Sequence, residues 1–269
     1  MRRSLVIVFL PVFFGLPISL LAQQSAQTAT APMRDQQAVA VLQQSLAAMG
    51  KTLPADSVAT GTVTIVEGSR TEEGTIRVAT RGPDQSGEDI TLSSDHRVVV
   101  FSRPAAAETK AGATKLLSFE ASATSQTPDF PLAIIAWALT DPDAAMSYVG
   151  LESLSGQKLH HLRIWNTLTS TPQLQPYAEF TLMNLWIDPS TGLPQKLAYE
   201  KRVGGGSSPR TRMEISYSEY QNFGDILYPT QIQKNLNGVL WTTIHISTVT
   251  LNTGLTDSDF PMPASARQQ

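Results

Sequence analysis

The 269-residue chain carries 20 Lys and Arg against 23 Asp and Glu, a formal net charge of −3, and no cysteine. Modest acidity without a basic stripe argues against nucleic-acid partners, and the lack of cysteine excludes disulfides, zinc–thiolate sites and cysteine nucleophiles. Low charge, abundant Thr and Ser, and 17 each of Gly and Pro fit a chain of strands and turns.

Arg2 and Arg3 precede an uncharged run from Leu5 to Leu21, and Gly15 and Pro17 lead into Leu20-Leu21-Ala22, a small-residue cleavage site. Residues 1–22 therefore read as a signal peptide. An uncleaved anchor needs roughly 17–25 apolar residues; Pro11, Pro17 and the missing basic flank favour cleavage. Removal of the two arginines would shift the formal charge to −5. The expected protein is periplasmic or secreted, soluble after cleavage, with room for transient membrane contact. Residues 23–33 read as a disordered polar tether, 34–262 as one β domain and 263–269 as a tail.

From Arg34 to Met49, Val39, Leu42, Leu46 and Met49 recur at helical spacing, and Gly50 is a natural stop. The period becomes two from Val58, with Glu67-Gly68-Ser69-Arg70 as a hairpin turn and further strands at 88–92 and 96–101. Residues 103–129 lack periodicity and predict a long loop, a movable lid. Phe130 to Leu139 is apolar on every side, a short helix that wants burial all round. Strands follow at 147–153, 158–166, 179–187, 194–203, 210–221, 226–235 and 239–251. The turn signals between them, above all Asn237-Gly238, make an antiparallel meander. Gly204-Gly205-Gly206 lacks the Lys-Ser/Thr of a phosphate loop and reads as a flexible connection.

This order of elements, with Asp188-Pro189-Ser190-Thr191-Gly192-Leu193-Pro194, Tyr217-Ser218-Glu219-Tyr220, Tyr228-Pro229-Thr230-Gln231-Ile232 and the run from Leu255 to Phe260, resembles the LolA-like superfamily of periplasmic lipoprotein carriers and RseB-type sensors. The resemblance implies a mainly β (α+β) fold. A single strongly curved antiparallel sheet, an open half-barrel, would be covered on its concave apolar face by an N-terminal helix and a short apolar helix. That face would accept acyl chains. No ligand-contacting residue carries over, because the matching motifs are turns and strand starts.

The alternation independently collects apolar residues on one sheet face. The candidate cavity set is Leu197, Tyr199, Met213, Ile215, Tyr217, Tyr228 and Ile232, with Phe180, Leu182, Trp186 and Trp241, beneath Ile134 and Trp137 of the apolar helix. A one-sided oily sheet must be covered, and an ordinary core satisfies the same pattern. The strand at 179–187 is apolar on both faces and is expected to be central. No catalytic group, cofactor or metal site is expected. His160 and His161 must point to opposite faces of a strand, and His96 and His245 have no ligand-spaced partner. The candidate partners are a lipid, a lipoprotein or an envelope protein. The leading function is a binding protein that shelters acyl chains; a sensor or scaffold module is the alternative, and a secreted hydrolase a third reading.

Overall fold

Asp35 begins the first helix. Its carboxylate accepts hydrogen bonds from the N–H of Gln37 at 2.8 Å and Ala38 at 3.3 Å, occupying donors that a helix start leaves open. Helix α1 (Gln36–Met49) buries Ala38, Val41, Leu42 and Met49 and ends at Gly50, whose φ of 141° favours glycine. The computed structural model describes residues 32–123, 129–202 and 209–263. The expected signal peptide, nearly all of the tether and tail, and Gly204-Gly205-Gly206 lie outside the described residues.

Thirteen strands follow among the described residues: β1 (Asp56–Glu67), β2 (Arg70–Arg81), β3 (Gln85–Leu92), β4 (His96–Ser102), β5 (Ala105–Lys110), β6 (Ala113–Leu116), β7 (Ala144–Leu154), β8 (Gln157–Asn166), β9 (Met183–Ile187), β10 (Pro194–Arg202), β11 (Arg210–Phe223), β12 (Ile226–Leu236) and β13 (Val239–Leu251). Helices α2 (Phe119–Ala123) and α3 (Pro131–Thr140) lie between β6 and β7. The strands form one antiparallel sheet in the order β6-β5-β4-β3-β2-β1-β13-β12-β11-β10-β9-β8-β7, with β6 and β7 as its two edges, so it does not close into a barrel. Most turns fall where the sequence placed them. Asn237 (φ 50°) and Gly238 (φ 80°) both take the left-handed conformation that a two-residue hairpin turn needs.

Two expectations are corrected. Residues 103–129 are not a structureless lid: β5 and β6 form a hairpin on the sheet edge, and α2 follows. The strand expected from 179 starts at Met183, because Pro172–Thr181 is a 3-10 helix with Pro172 and Pro176 inside it. Proline has no N–H to give a sheet ladder.

The sheet is strongly curved. Strands β3 and β12 stand four places apart, roughly 19 Å along a flat sheet at about 4.8 Å per strand. Yet the Lys234 ammonium of β12 donates to Glu88 of β3 at 2.6 Å. Only a sheet wrapped round its concave face allows that contact. The turns at 68–69, 93–95, 111–112 and 237–238 gather at one end of the strands. At the other end, the last turns of α1 meet Gly192 and Ile226. The helices thus close one end and leave the hairpin end to the site.

Helix α3 is buried all round, as its composition demands; Leu132, Ala133, Ile134, Ile135, Trp137 and Ala138 are 3% exposed or less. Its last carbonyls are satisfied by Arg34, which donates to Ala138 O at 3.1 Å, Leu139 O at 2.9 Å and Asp141 O at 3.2 Å. On the convex side, Phe260 packs over Ala79 and Val100. Among the described residues no helix is long and apolar enough to cross a membrane.

Candidate functional site

The concave face divides into a packed part and an open part. Ile134, Trp137, Leu197, Tyr199, Met213, Ile215, Tyr217, Tyr228 and Ile232 meet in one apolar cluster, each 7% exposed or less. Phe130, just before α3, stacks on Tyr228 at 5.0 Å between ring centres. Side chains of α1 and α3 fill this part.

Three residues of the expected set lie elsewhere. Phe180 belongs to the 3-10 helix, with the Arg210 guanidinium 5.2 Å from its ring centre, and Leu182 is exposed. Trp186 is on the convex face, packed with Leu159 and Ala198 and stacked on His161 at 4.4 Å. Register explains this. Leu185 stands opposite Leu197, whereas Trp186 stands opposite Lys196, so Met183, Leu185 and Ile187 are the concave residues of β9. With both faces of β9 apolar, alternation alone gives no parity.

Trp241 lies at the open part. A register shift between Lys234 and Asn235 lets it share the concave side with Thr242. The Arg97 guanidinium lies 5.8 Å from its ring centre. Arg97 and Trp241 edge a small recess of about 40 Å3 whose apolar walls are Ile65, Ile90 and Leu92. The recess shares Ile65, Glu67, Leu92, Asp95 and Lys110 with a groove of about 320 Å3 that runs out to Arg70, Glu72 and Ser94 at the hairpin end. The groove is mostly polar, with Ile65 and Leu92 as its apolar part, and its volume falls within the range of ligand sites. Of the expected set, Trp241 alone lines the recess, and none lines the groove. Ile65, Ile90, Leu92 and Arg97 were missed, although Ile65 and Ile90 follow from the alternation of β1 and β3.

The rim is held rigidly. Glu72 accepts from both oxygens of Ser93 and Ser94 at 2.7 Å each, and from the Ser94 N–H at 2.8 Å. These bonds draw its carboxyl down to about 2. Lys110 pairs with Asp95 at 2.9 Å.

Between groove and packed cluster lies a charged layer. Lys234 Nζ donates to Glu88 Oε2 at 2.6 Å and to Asp129 Oδ2 at 3.0 Å. Asp129 Oδ1 lies 3.0 Å from the same ammonium and, among the described residues, accepts no hydrogen bond. Burial, and then the Glu88 charge, push the Asp129 carboxyl far above the usual carboxylate range. Burial also works against Glu88, but Lys234 and Arg97 outweigh it and hold that carboxyl well below its usual value. The pair therefore shares one proton beside one ammonium. Lys201 of β10 reaches the same layer, where burial and the charges of Lys234 and Arg97 lower its pKa against the pull of Glu88.

The histidines are apart from the groove. His160 hydrogen-bonds the Tyr148 hydroxyl at 2.8 Å, and His161 lies on the other face of β8 between Glu152 at 3.0 Å and Asn184 at 2.9 Å. His96 pairs with Asp89 at 2.8 Å in solvent. Two of these are acid–histidine pairs, but among the described residues neither has a serine or threonine hydroxyl hydrogen-bonded to its ring. Among the described residues no group of three or more His, Cys, Asp or Glu is placed to hold a metal ion.

No family model matches the sequence, and no curated protein matches it. Solved structures do. A putative outer membrane lipoprotein-sorting protein domain from Vibrio parahaemolyticus is 14% identical, with 83% of this chain and 96% of that one covered and a TM-score of 0.55. A LolA superfamily protein from Nitrosomonas europaea is 16% identical, with 84% and 97% covered and a TM-score of 0.55. A DUF1329 family protein from Desulfovibrio piger is 14% identical, with 88% and 99% covered and a TM-score of 0.57. At such identities the likeness is one of fold, and the chain has the LolA-like fold.

Proposed function

We propose that this chain of LolA-like fold is an exported, non-enzymatic binding protein that shelters an acyl chain, either of a lipid or of a lipidated envelope protein. The observation that carries the reading is the groove of about 320 Å3 at the hairpin end, which reaches Ile65 and Leu92 and adjoins the small recess at Ile90 and Trp241. The signal-like residues 1–22 support export. One structural neighbour is described as lipoprotein-sorting, which supports a lipidated cargo.

The groove is a better first site than the packed cluster. Entry beneath α3 would expose Ile134, Ile135, Leu132 and Trp137, at about 1.5–3 kcal/mol for each side chain returned to water. The groove demands no such displacement. Leu197, Met213, Ile215 and Tyr228 would touch cargo only if a chain long enough to compensate for that exposure moved α3 aside.

Organic extraction of the protein purified after export to a bacterial periplasm, followed by mass spectrometry, should recover an acyl lipid in near-stoichiometric amount. Protein that repeatedly yields none, and that takes up none when offered, ends the carrier reading.

A further inference from the structure

The two edges of the sheet are not alike. Strand β6 is four residues long and carries Lys115, and short charged edges resist further pairing. Strand β7 is 11 residues long, and from Ala144 to Gln157 the chain holds no proline and a single charged side chain, Glu152. The first half of this edge is already occupied. Residues 33–35 run beside it: Met146 N–H donates to Met33 O at 2.8 Å, Asp35 N–H to Met146 O at 3.1 Å, and Tyr148 N–H to Asp35 Oδ2 at 3.3 Å. A bulge at Val149 ends that cover, and from Gly150 to Leu154 the ladder with β8 is regular again. Tyr148 stands opposite Leu162 and Leu151 opposite His160, two places along β8, so Leu151 turns its N–H and C=O outward as Tyr148 does. Among the described residues nothing pairs with this second half from outside. Its side chains are apolar and in water, with Val149 48% and Leu151 57% exposed.

We propose that the open half of β7 pairs with the same half of a second copy of this chain, antiparallel about a two-fold axis at Leu151. This goes beyond the carrier reading and does not depend on it. The register favours a second copy over an unrelated strand. Leu151 meets Leu151 of the partner subunit, Val149 meets the partner's Ser153, and Gly150 meets the partner's Glu152. Apolar side chains thus face each other at the axis, and no like charges are opposed. Glu152 is drawn back onto its own subunit, accepting from Trp186 Nε1 at 2.8 Å and pairing with His161 at 3.0 Å. The contact is self-complementary, so it closes at two copies. A ladder running only from Val149 to Ser153 stands at the low end of interface size, which makes the dimer weak and concentration-dependent.

Sedimentation equilibrium of the exported protein, loaded from about 10 µM to about 1 mM, should show the average mass rising from monomer toward dimer. Leu151→Lys sets two ammonium groups face to face at the axis and should hold the mass at monomer throughout. Leu151 is exposed, so the variant should keep its fold, checked by circular dichroism. The chain has no cysteine, so Leu151→Cys carries a single thiol. Across the axis the two Cα atoms stand about 5.5 Å apart, within disulfide range. Mild oxidation should therefore crosslink Leu151→Cys at least about tenfold faster than Leu240→Cys, an exposed site at the hairpin end. A monomeric mass at the highest load of the unaltered protein overturns the proposal, and an edge kept for a strand of a different protein gives that result. A dimer that Leu151→Lys leaves intact, or equal crosslinking at the two sites, places the contact on another surface and overturns it as well. None of these outcomes touches lipid recovery by extraction, so the carrier reading is judged separately.

Discussion

At the scale of single residues, the Asp129 carboxyl makes the sharpest prediction. Its pKa is raised from 3.8 to about 8 in the fold, so the protonated form is the one folding favours. That contribution is complete below pH 4, shrinks as pH rises and is gone above pH 8. Glu88 acts in the opposite sense, its contribution being lost as pH falls below its unfolded value of 4.5. Between pH 5 and 8 the Asp129 effect is separated from that of Glu88. Urea unfolding should show stability falling by up to about 1.4 kcal/mol per pH unit from this group, and Asp129→Asn should flatten that part of the slope. An unchanged slope in the variant would place the proton elsewhere. Arg34 offers a second check: Arg34→Met removes charged donors from the end of α3 and should destabilise the chain by about 2 kcal/mol. Neither role was legible in the sequence. Arg34 reads as an ordinary helix-start residue, and Asp129 as the end of a polar loop, because each partner lies about a hundred positions away in the chain. The same distance hid the face of Trp186, since only pairing with β10 settles which side of β9 looks inward.

At the scale of elements, hairpins were the legible part. Asn237-Gly238, Ser155-Gly156 and Gly68-Ser69 each sit between alternating runs, and turn chemistry fixed their strands to within a few residues. The β5–β6 hairpin escaped because Ala105-Ala106-Ala107 has no contrast between faces: Ala106 and Ala107 are both buried although they point to opposite sides. The Ala111 (φ 49°) and Gly112 (φ 76°) turn was a weaker signal than Asn-Gly. Helix α3 was read correctly as an element and as a buried one. Trp137→Ala should cost about 3–5 kcal/mol in equilibrium unfolding; a loss under 1 kcal/mol would mean that α3 is not packed as described. Strand β1 carries a tighter constraint. An added Cβ at Gly61 would stand 1.9 Å from the His245 carbonyl oxygen at the register shift beside Thr60. Gly61→Ala should therefore lower stability by at least about 2 kcal/mol, visible as a drop in the urea midpoint.

At the scale of the whole molecule, the curvature makes the site. A flat sheet with the same strands would leave Lys234 far from Glu88 and Arg97 far from Trp241. Wrapping brings β1, β3, β4, β5 and β13 around one recess while α1 and α3 close the other end. The half-barrel was legible through a family resemblance, and the one-sided oil of β10–β12 supported it; the division of that face into a packed half and an open half was not. The sequence lists apolar residues without saying which of them a helix will cover. The central claim is that an acyl chain lies against Trp241. A brominated fatty acid titrated into the protein quenches any tryptophan its chain touches. The account predicts saturable quenching that Trp241→Phe abolishes and Trp186→Phe leaves in place, since Trp186 faces the convex side; no quenching, or quenching that survives Trp241→Phe undiminished, would contradict it.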